Sequence, residues 1–67
     1  MIERFINNRM YRINQRLDGR WQAIGCEEYN AIVSPVYIET DEIHIFDRKY
    51  ELSEFLKEIN GGRPVRI

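Results

Sequence analysis

A single cysteine limits how a chain of this length can be held together. Cys26 is the only cysteine among 67 residues, so no disulfide can form within the chain. A zinc site would need two ligands besides Cys26 and His44, and no residue spacing supplies them. A domain of this size buries only about 60% of the surface that its unfolded chain exposes. We therefore expect no metal, no cofactor, and a fold that gains stability from close packing or from self-association, with a homodimer as the expected state.

The spacing of apolar residues predicts that the chain opens with a helix. Between residues 2 and 17, apolar positions recur at intervals of three and four, which is the period of a helix face. These positions are Ile2, Phe5, Ile6, Met10, Ile13 and Leu17. Glycine is the usual residue just beyond a helix end, so Asp18-Gly19 should end this helix.

Three or four short antiparallel strands are predicted after the helix. The first covers residues 21–24 and is followed by a turn at residues 25–28. Residues 29–39 are rich in β-branched and aromatic side chains, but Pro35 cannot donate to a sheet ladder. This stretch therefore either bulges on an edge strand or splits in two. The remaining predicted elements are a polar turn at residues 40–42, a strand at residues 43–46, and a hairpin turn at Asp47-Arg48 that leads to residues 50–52.

A short C-terminal helix completes the predicted domain. Ser53 is a good N-cap, Glu54 suits the first turn, and Asn60-Gly61-Gly62 should end the helix. The predicted fold class is α+β, with an N-terminal helix, a three- to four-stranded antiparallel sheet and a short C-terminal helix. One domain should cover residues 1–60, and residues 61–67 should form a short tail.

Charge is unevenly distributed along the chain. Residues 1–21 have a net charge of +3, residues 22–60 of −6, and the last seven residues of +2. On the predicted N-terminal helix, Arg9, Arg12 and Arg16 fall within an arc of roughly 60° beside the apolar stripe. Three interpretations of this arginine stripe remain open. It is the solvated rim of the core, a contact for nucleic-acid phosphates, or a contact for a protein with an acidic surface.

Catalysis is not expected from these residues. His44 alternates with two isoleucines, so it should lie on the outer face of its strand beside Phe46, with no catalytic partners around it. Cys26 precedes two glutamates, and nearby negative charge disfavours the reactive thiolate. A small-molecule site also needs a cleft of about 300 Å³ or more, lined by residues that this chain needs for its only core.

The remaining interpretation is a small non-enzymatic module that binds another protein. Residues 1–10 contain no apolar run, so neither a signal peptide nor a membrane span is expected, and a lone cysteine suits the cytoplasm. An accessory or regulatory role, of the kind found in bacterial or phage proteins, would suit such a module. The predicted partner-binding residues are Arg9, Arg12, Arg16, Arg20, Tyr11 and Trp21, and the alternative is nucleic-acid binding through the same arginines.

Overall fold

Four consecutive strands form one antiparallel sheet, and a single helix covers one face of that sheet. The computed structural model describes residues 1–67. The strands are β1 (Ile2–Ile6), β2 (Arg9–Gln15), β3 (Trp21–Asn30) and β4 (Pro35–Phe46), and the helix is α1 (Lys49–Ile59). Each strand pairs with the next one along the chain, in the order β1-β2-β3-β4. The predicted antiparallel sheet and C-terminal helix are therefore present in a small fold that is mostly sheet.

The predicted N-terminal helix is wrong, because residues 2–15 form a β-hairpin. Asn7 and Asn8 make its two-residue turn, and both have positive φ angles, 52° and 63°. Ile6 pairs with Arg9 directly across this turn. A two-residue hairpin turn of this type needs positive φ at both central positions, and asparagine adopts that conformation more readily than most residues. No arginine-bearing helix face exists at this end of the chain.

The core lies between α1 and the face of the sheet that α1 covers. Leu52 and Leu56, one turn apart on α1, are completely buried. Four buried strand side chains pack against them: Ile6, Tyr11, Ile13 and Ala23. Partly buried apolar groups surround this centre, namely Ile2, Trp21, Phe46, Phe55, Ile59, Val65 and Ile67. Full burial of one leucine or isoleucine side chain contributes about 1.5–3 kcal/mol, so these few contacts hold the helix on the sheet.

Helix α1 begins earlier than predicted, at Lys49. Arg48 is the N-cap, and its backbone N–H donates to Glu51 Oε1 at 3.0 Å. A carboxylate in the first turn also suits the helix dipole. Residues 50–52, predicted as a strand, are therefore helical, and Ser53 lies inside the helix instead of capping it. The helix is not long and apolar enough to cross a membrane.

The last residues of the chain return to the core after the helix. Asn60 is the C-cap and Gly61 has a φ of 68°, so the helix ends where the sequence predicts. Val65 and Ile67 then pack against the core cluster. Residues 61–67 thus contribute to packing even though most of them have no regular secondary structure.

A β-bulge divides β4 into two paired stretches. One residue of β3, Gly25, lies opposite three residues of β4, 40–42. The hydroxyl of Thr40 donates to Gly25 O at 2.7 Å and accepts the backbone N–H of Glu42 at 3.1 Å. A bulge bends its strand and interrupts the strand's free edge. The predicted turns at residues 25–28 and 40–42 are therefore wrong, because the first is continuous strand and the second is this bulge.

Candidate interaction surface

The hairpin of β3 and β4 extends beyond the rest of the sheet. Strand β2 stops pairing with β3 at Cys26, whereas β3 and β4 stay paired as far as Asn30 and Pro35. Residues 27–38 form this projecting part, the arm, and residues 31–34 are its loop. An isolated two-stranded ribbon is marginally stable in water because its side chains have little to pack against.

One face and the tip of the arm are apolar and open to solvent. At the tip, Ile32 and Val33 are 104% and 94% exposed. Tyr29 pairs with Val36, and Ile38 lies two positions further along the strand, so all three share one face of the ribbon. These three side chains are about half exposed. Adjoining exposed apolar groups of this kind mark interaction sites on small proteins.

The charge of the arm is negative and is not neutralised within the chain. Residues 27–38 contain two glutamates, Glu27 and Glu28, and no lysine or arginine. Glu27 accepts a hydrogen bond from the Tyr29 hydroxyl at 3.2 Å, and Glu28 accepts one from the Tyr37 hydroxyl at 3.0 Å. The hydrogen bond to Glu28 raises the pKa of Tyr37. Neither glutamate forms an ion pair.

The sequence predicts the strand content of the arm but not its projection. Residues 29–39 are correctly expected to be interrupted near Pro35, and the interruption is the loop of a hairpin. Proline is tolerated as the first residue of a strand, which is the position that Pro35 occupies in β4. Asn30 before the loop and Ser34-Pro35 at its end are the local signal that could have placed it, because asparagine, serine and proline favour turns.

The six residues predicted to bind a partner are distributed over three places. Successive side chains on a strand point to opposite faces, so strand β2 cannot display its arginines as one stripe. Arg9 and Tyr11 lie on the helix side of β2, Arg12 lies on the opposite face, and Arg16, Arg20 and Trp21 lie around the turn from β2 to β3. The structure therefore brings only the last three together.

Arg9 and Tyr11 belong to a polar cluster around Glu42. Arg9 Nη2 lies 3.0 Å from Glu42 Oε1, and His44 Nε2 lies 2.9 Å from Glu42 Oε2. The Tyr11 side chain lies near the same carboxylate. Burial favours a higher pKa for Glu42, but its interactions with His44, Tyr11 and Arg9 outweigh burial, so the pKa of Glu42 is lowered. Burial, followed by the charge of Glu42, raises the pKa of Tyr11.

Arg12 links the two edge strands across the face of the sheet that the helix leaves open. Its Nε lies 3.0 Å from Glu3 Oε2 on β1, its Nη1 lies 3.1 Å from Glu39 Oε2 on β4, and its Nη2 donates to Tyr37 O at 3.0 Å. A planar guanidinium presents its donors as a fork, which lets one side chain hold several acceptors. These carboxylate hydrogen bonds raise the pKa of Arg12. The side chain is thus already paired within its own chain.

The turn between β2 and β3 presents a group of cations with one carboxylate between them. Arg16 Nε and Arg20 Nε both approach Asp18 Oδ2, at 3.4 Å and 3.6 Å. Gly19 has a φ of 88°, so this Asp-Gly pair forms a turn between strands and not the predicted helix end. Leu17 is 109% exposed at the same turn.

The start of α1 adds further cations to this region. Arg20 Nε lies 3.9 Å from Asp47 Oδ1, and Lys49 Nζ lies 5.4 Å from the centroid of the Trp21 ring. Arg48 lies between Asp47 and Lys49 in the chain. Residues 16–21 and 47–49 together form the basic end, which carries four cations against two carboxylates. The basic end lies at the first residue of β3, and the arm lies at the other end of the same strand. The two surfaces are therefore at opposite ends of the sheet.

Two residues with reactive side chains are packed within the fold. His44 lies on the helix side of β4, where its ring is 4.4 Å from the ring of Phe55. The prediction that it faces outward is wrong, since it shares the covered face with Phe46, which also packs on Phe55. Cys26 is buried on the open face, and burial raises the pKa of its thiol. A thiol of raised pKa is a poor nucleophile.

A shallow concavity of about 620 Å³ lies beside α1. Its lining combines aromatic rings with carboxylates and one lysine: Phe46, Tyr50, Glu51, Glu54, Phe55, Lys57, Glu58 and Gly62. It includes no histidine, cysteine or serine. Its ionisable side chains are Tyr50, Lys57 and the three glutamates. A cleft large enough for a small molecule is therefore present, although the sequence leads us to expect none.

No protein-family model, curated protein or solved structure matches this chain. Two surfaces of the chain differ from the rest in their charge, namely the arm and the basic end. Each combines exposed apolar side chains with an excess of charge of one sign, and the two signs are opposite.

Proposed function

We propose that this chain is a non-enzymatic protein–protein interaction module, with an accessory or regulatory role, that binds its partner through the arm. One observation carries the proposal: a projecting ribbon leaves five large apolar side chains in solvent, namely Tyr29, Ile32, Val33, Val36 and Ile38. Each CH₂ group removed from water contributes about 0.8 kcal/mol. The five side chains of the arm provide this contribution only when a partner covers them.

The charge on the arm supports a partner with a basic surface. Glu27 and Glu28 have no cation of their own, whereas Arg9 and Arg12 are ion-paired within the chain. An acidic partner for the arginines, which the sequence suggests, is therefore not what we propose. Nucleic-acid binding is not proposed either, because the arginines of β2 lie on opposite faces. Complementary charge speeds encounter and orients the partner more than it strengthens the complex.

Two matched double variants of β4 test this function. Val36→Thr with Ile38→Thr changes the arm, and Ile43→Thr with Ile45→Thr makes the same kind of change on the other side of the bulge. The four side chains are exposed to similar extents, 47%, 49%, 52% and 44%. Threonine keeps the β-branched shape that suits a strand, so both variants should fold.

The readout is capture of proteins from an extract of the cells in which the chain is native, with quantitative mass spectrometry. We expect the arm variant to lose at least nine-tenths of the captured partner, and the matched variant to retain it. Circular dichroism would establish that both variants are folded. Equal capture by the wild type and a folded arm variant would overturn the proposal.

A further inference from the structure

The chain carries, at the basic end, a surface that complements its own arm. The arm combines Glu27 and Glu28 with exposed aliphatic side chains and has no cation. The basic end combines a net charge of +2 with a fully exposed Leu17. Arg16 and Arg20 share one exposed carboxylate there, at 3.4 Å and 3.6 Å, so positive charge remains in excess. Exposed ion pairs of this kind are weak and can be exchanged for a partner's carboxylates.

We propose that a second copy of this chain occupies the arm, with the arm of one molecule seated on the basic end of the next. The proposal rests on the proposed function, because it names the partner of the same arm. In this contact Ile32 and Val33 cover Leu17, and Glu27, which pairs with Ile38 and lies on the apolar face of the arm, faces Arg16 and Arg20. Arginine suits this role because its planar fork can bind both oxygens of a carboxylate.

Because β3 is long, this contact can form only between two molecules. The arm and the basic end lie at opposite ends of a strand of 10 residues, which spans roughly 33 Å at about 3.3 Å per residue. One molecule therefore cannot place its arm on its own basic end. A one-way contact leaves one arm and one basic end free, so growth continues until a ring closes, and the smallest ring is a dimer in which each arm lies on the other molecule's basic end. A closed homodimer formed through an N-terminal helix is excluded, since that helix is absent.

Two symmetric alternatives place like charges together. Contact between two arms through their apolar faces would bring Glu27 of both copies into one interface without a cation, which opposes association. Pairing of two β4 edges would meet the bulge at residues 40–42 and the acids Glu39 and Asp41, and both features discourage strand addition. Of these three contacts, only the head-to-tail one pairs the acids of the arm with cations.

Two complementary variants test the arrangement. The arm variant is Ile32→Ser with Val33→Ser, and the end variant is Leu17→Ser with Arg20→Glu. The three apolar side chains are 94% or more exposed and lie in loops, so neither change touches the core. Thermal unfolding followed by circular dichroism would show that each variant folds. If Arg20→Glu disturbs its turn, Leu17→Ser with Arg16→Gln replaces it.

Sedimentation velocity and light scattering at micromolar to millimolar concentration would measure the size of each species. We expect the wild type to form species of two or more copies, above the 8.1 kDa of one chain, and to shrink when salt is added. Each variant alone should remain a monomer. An equimolar mixture should form a dimer and nothing larger, because the arm variant supplies an intact basic end and the end variant supplies an intact arm.

Other outcomes would overturn the second-copy proposal. They are a wild type that stays monomeric throughout, a wild-type dimer that the end variant also forms, and a mixture in which both variants remain monomers. If the wild type is monomeric but Val36→Thr with Ile38→Thr still abolishes capture of a different protein, only the second-copy proposal fails. If that variant captures as the wild type does, the proposed function fails as well.

Discussion

The ring of Phe5 meets the ring of Tyr37 edge to face, with 5.4 Å between their centroids. Phe5 lies on β1 and Tyr37 on β4, which are the two outermost strands of the sheet. The sheet is therefore curled toward its open face at the end that carries the arm. Met10 and Cys26 lie between these strands and are only 3% exposed. Arg12 spans the same gap, so a second small core forms without a helix.

Removal of Arg12 should open this curl. Arg12→Ala leaves Glu3 and Glu39 without their cation, and the two edge strands lose a direct link. We expect a lower midpoint of urea unfolding, with a smaller decrease for Arg12→Lys, which keeps the charge but not the planar fork. Arg63→Ala is the control, because it removes the same charge from an exposed residue. Equal midpoints for the Arg12→Ala and Arg63→Ala chains would contradict this role.

The two-leucine contact of α1 should dominate the stability of the fold. Leu52→Ala removes a completely buried side chain and should destabilise the chain by about 2–5 kcal/mol. A chain of 67 residues has a free energy of unfolding of roughly 3–10 kcal/mol, so most of it would be lost. Leu17→Ala, the same change at a fully exposed position, should alter stability by no more than about 0.5 kcal/mol. Urea unfolding of both variants checks this, and similar effects would refute it.

Acidification should weaken the cluster around Glu42. Its pKa is lower in the folded chain than in the unfolded chain, so the carboxylate stabilises the fold above its unfolded pKa of about 4.3. That contribution disappears as the pH falls through the lower folded pKa. Glu42→Gln should therefore be less stable than the wild type at neutral pH, and the difference should shrink in acid. Glu58→Gln, at an exposed helix position, is the control. When the free energy of unfolding is measured against pH, its difference from the wild type should not shrink in acid.

Gly25 should resist replacement because the same cluster fills the space beside it. A Cβ atom there would lie 2.9 Å from Arg9 Nε and from the carboxyl group of Glu42. Overpacking of this kind costs about 1–3 kcal/mol, so Gly25→Ala should lower the free energy of unfolding by that order. Since Arg9→Ala makes room for the methyl group, the double variant should lose less than the sum of the single losses. Strict additivity would show that the cluster is not the cause.

The N-terminal helix was wrongly predicted because apolar residues from both faces of a hairpin were counted as one helix face. Ile6 and Ile13 point into the core, whereas Phe5 and Met10 point to the open face, and Leu17 is in a turn. Read as one set, these residues have the spacing of a helix. The two asparagines at the turn were the local signal for a hairpin, since they suit the positive φ angles of a two-residue loop.

Elements that depend on local patterns were predictable, and long-range relationships were not. The strands at residues 21–24 and 43–46 and the helix with Leu52 and Leu56 follow from side-chain spacing and composition. The arm exists because β3 stays paired with β4 beyond the residue where its pairing with β2 ends. No local sequence pattern indicates this difference. Arg12 and Glu39 likewise meet over 27 positions of sequence. The binding surface that we propose therefore emerges only once the strands are aligned.

The uninterrupted strand order has a consequence for how the chain acquires its structure. Each hairpin can close over a short loop as soon as its two strands exist, and hairpins form in about 1–10 μs. The core cannot form so early, because Leu52 and Leu56 belong to the last element. The side chain of Asn7 bonds Ile59 O across 52 positions, which is a long loop to close. During synthesis the sheet can therefore assemble in order, with its inner face uncovered until α1 emerges and docks.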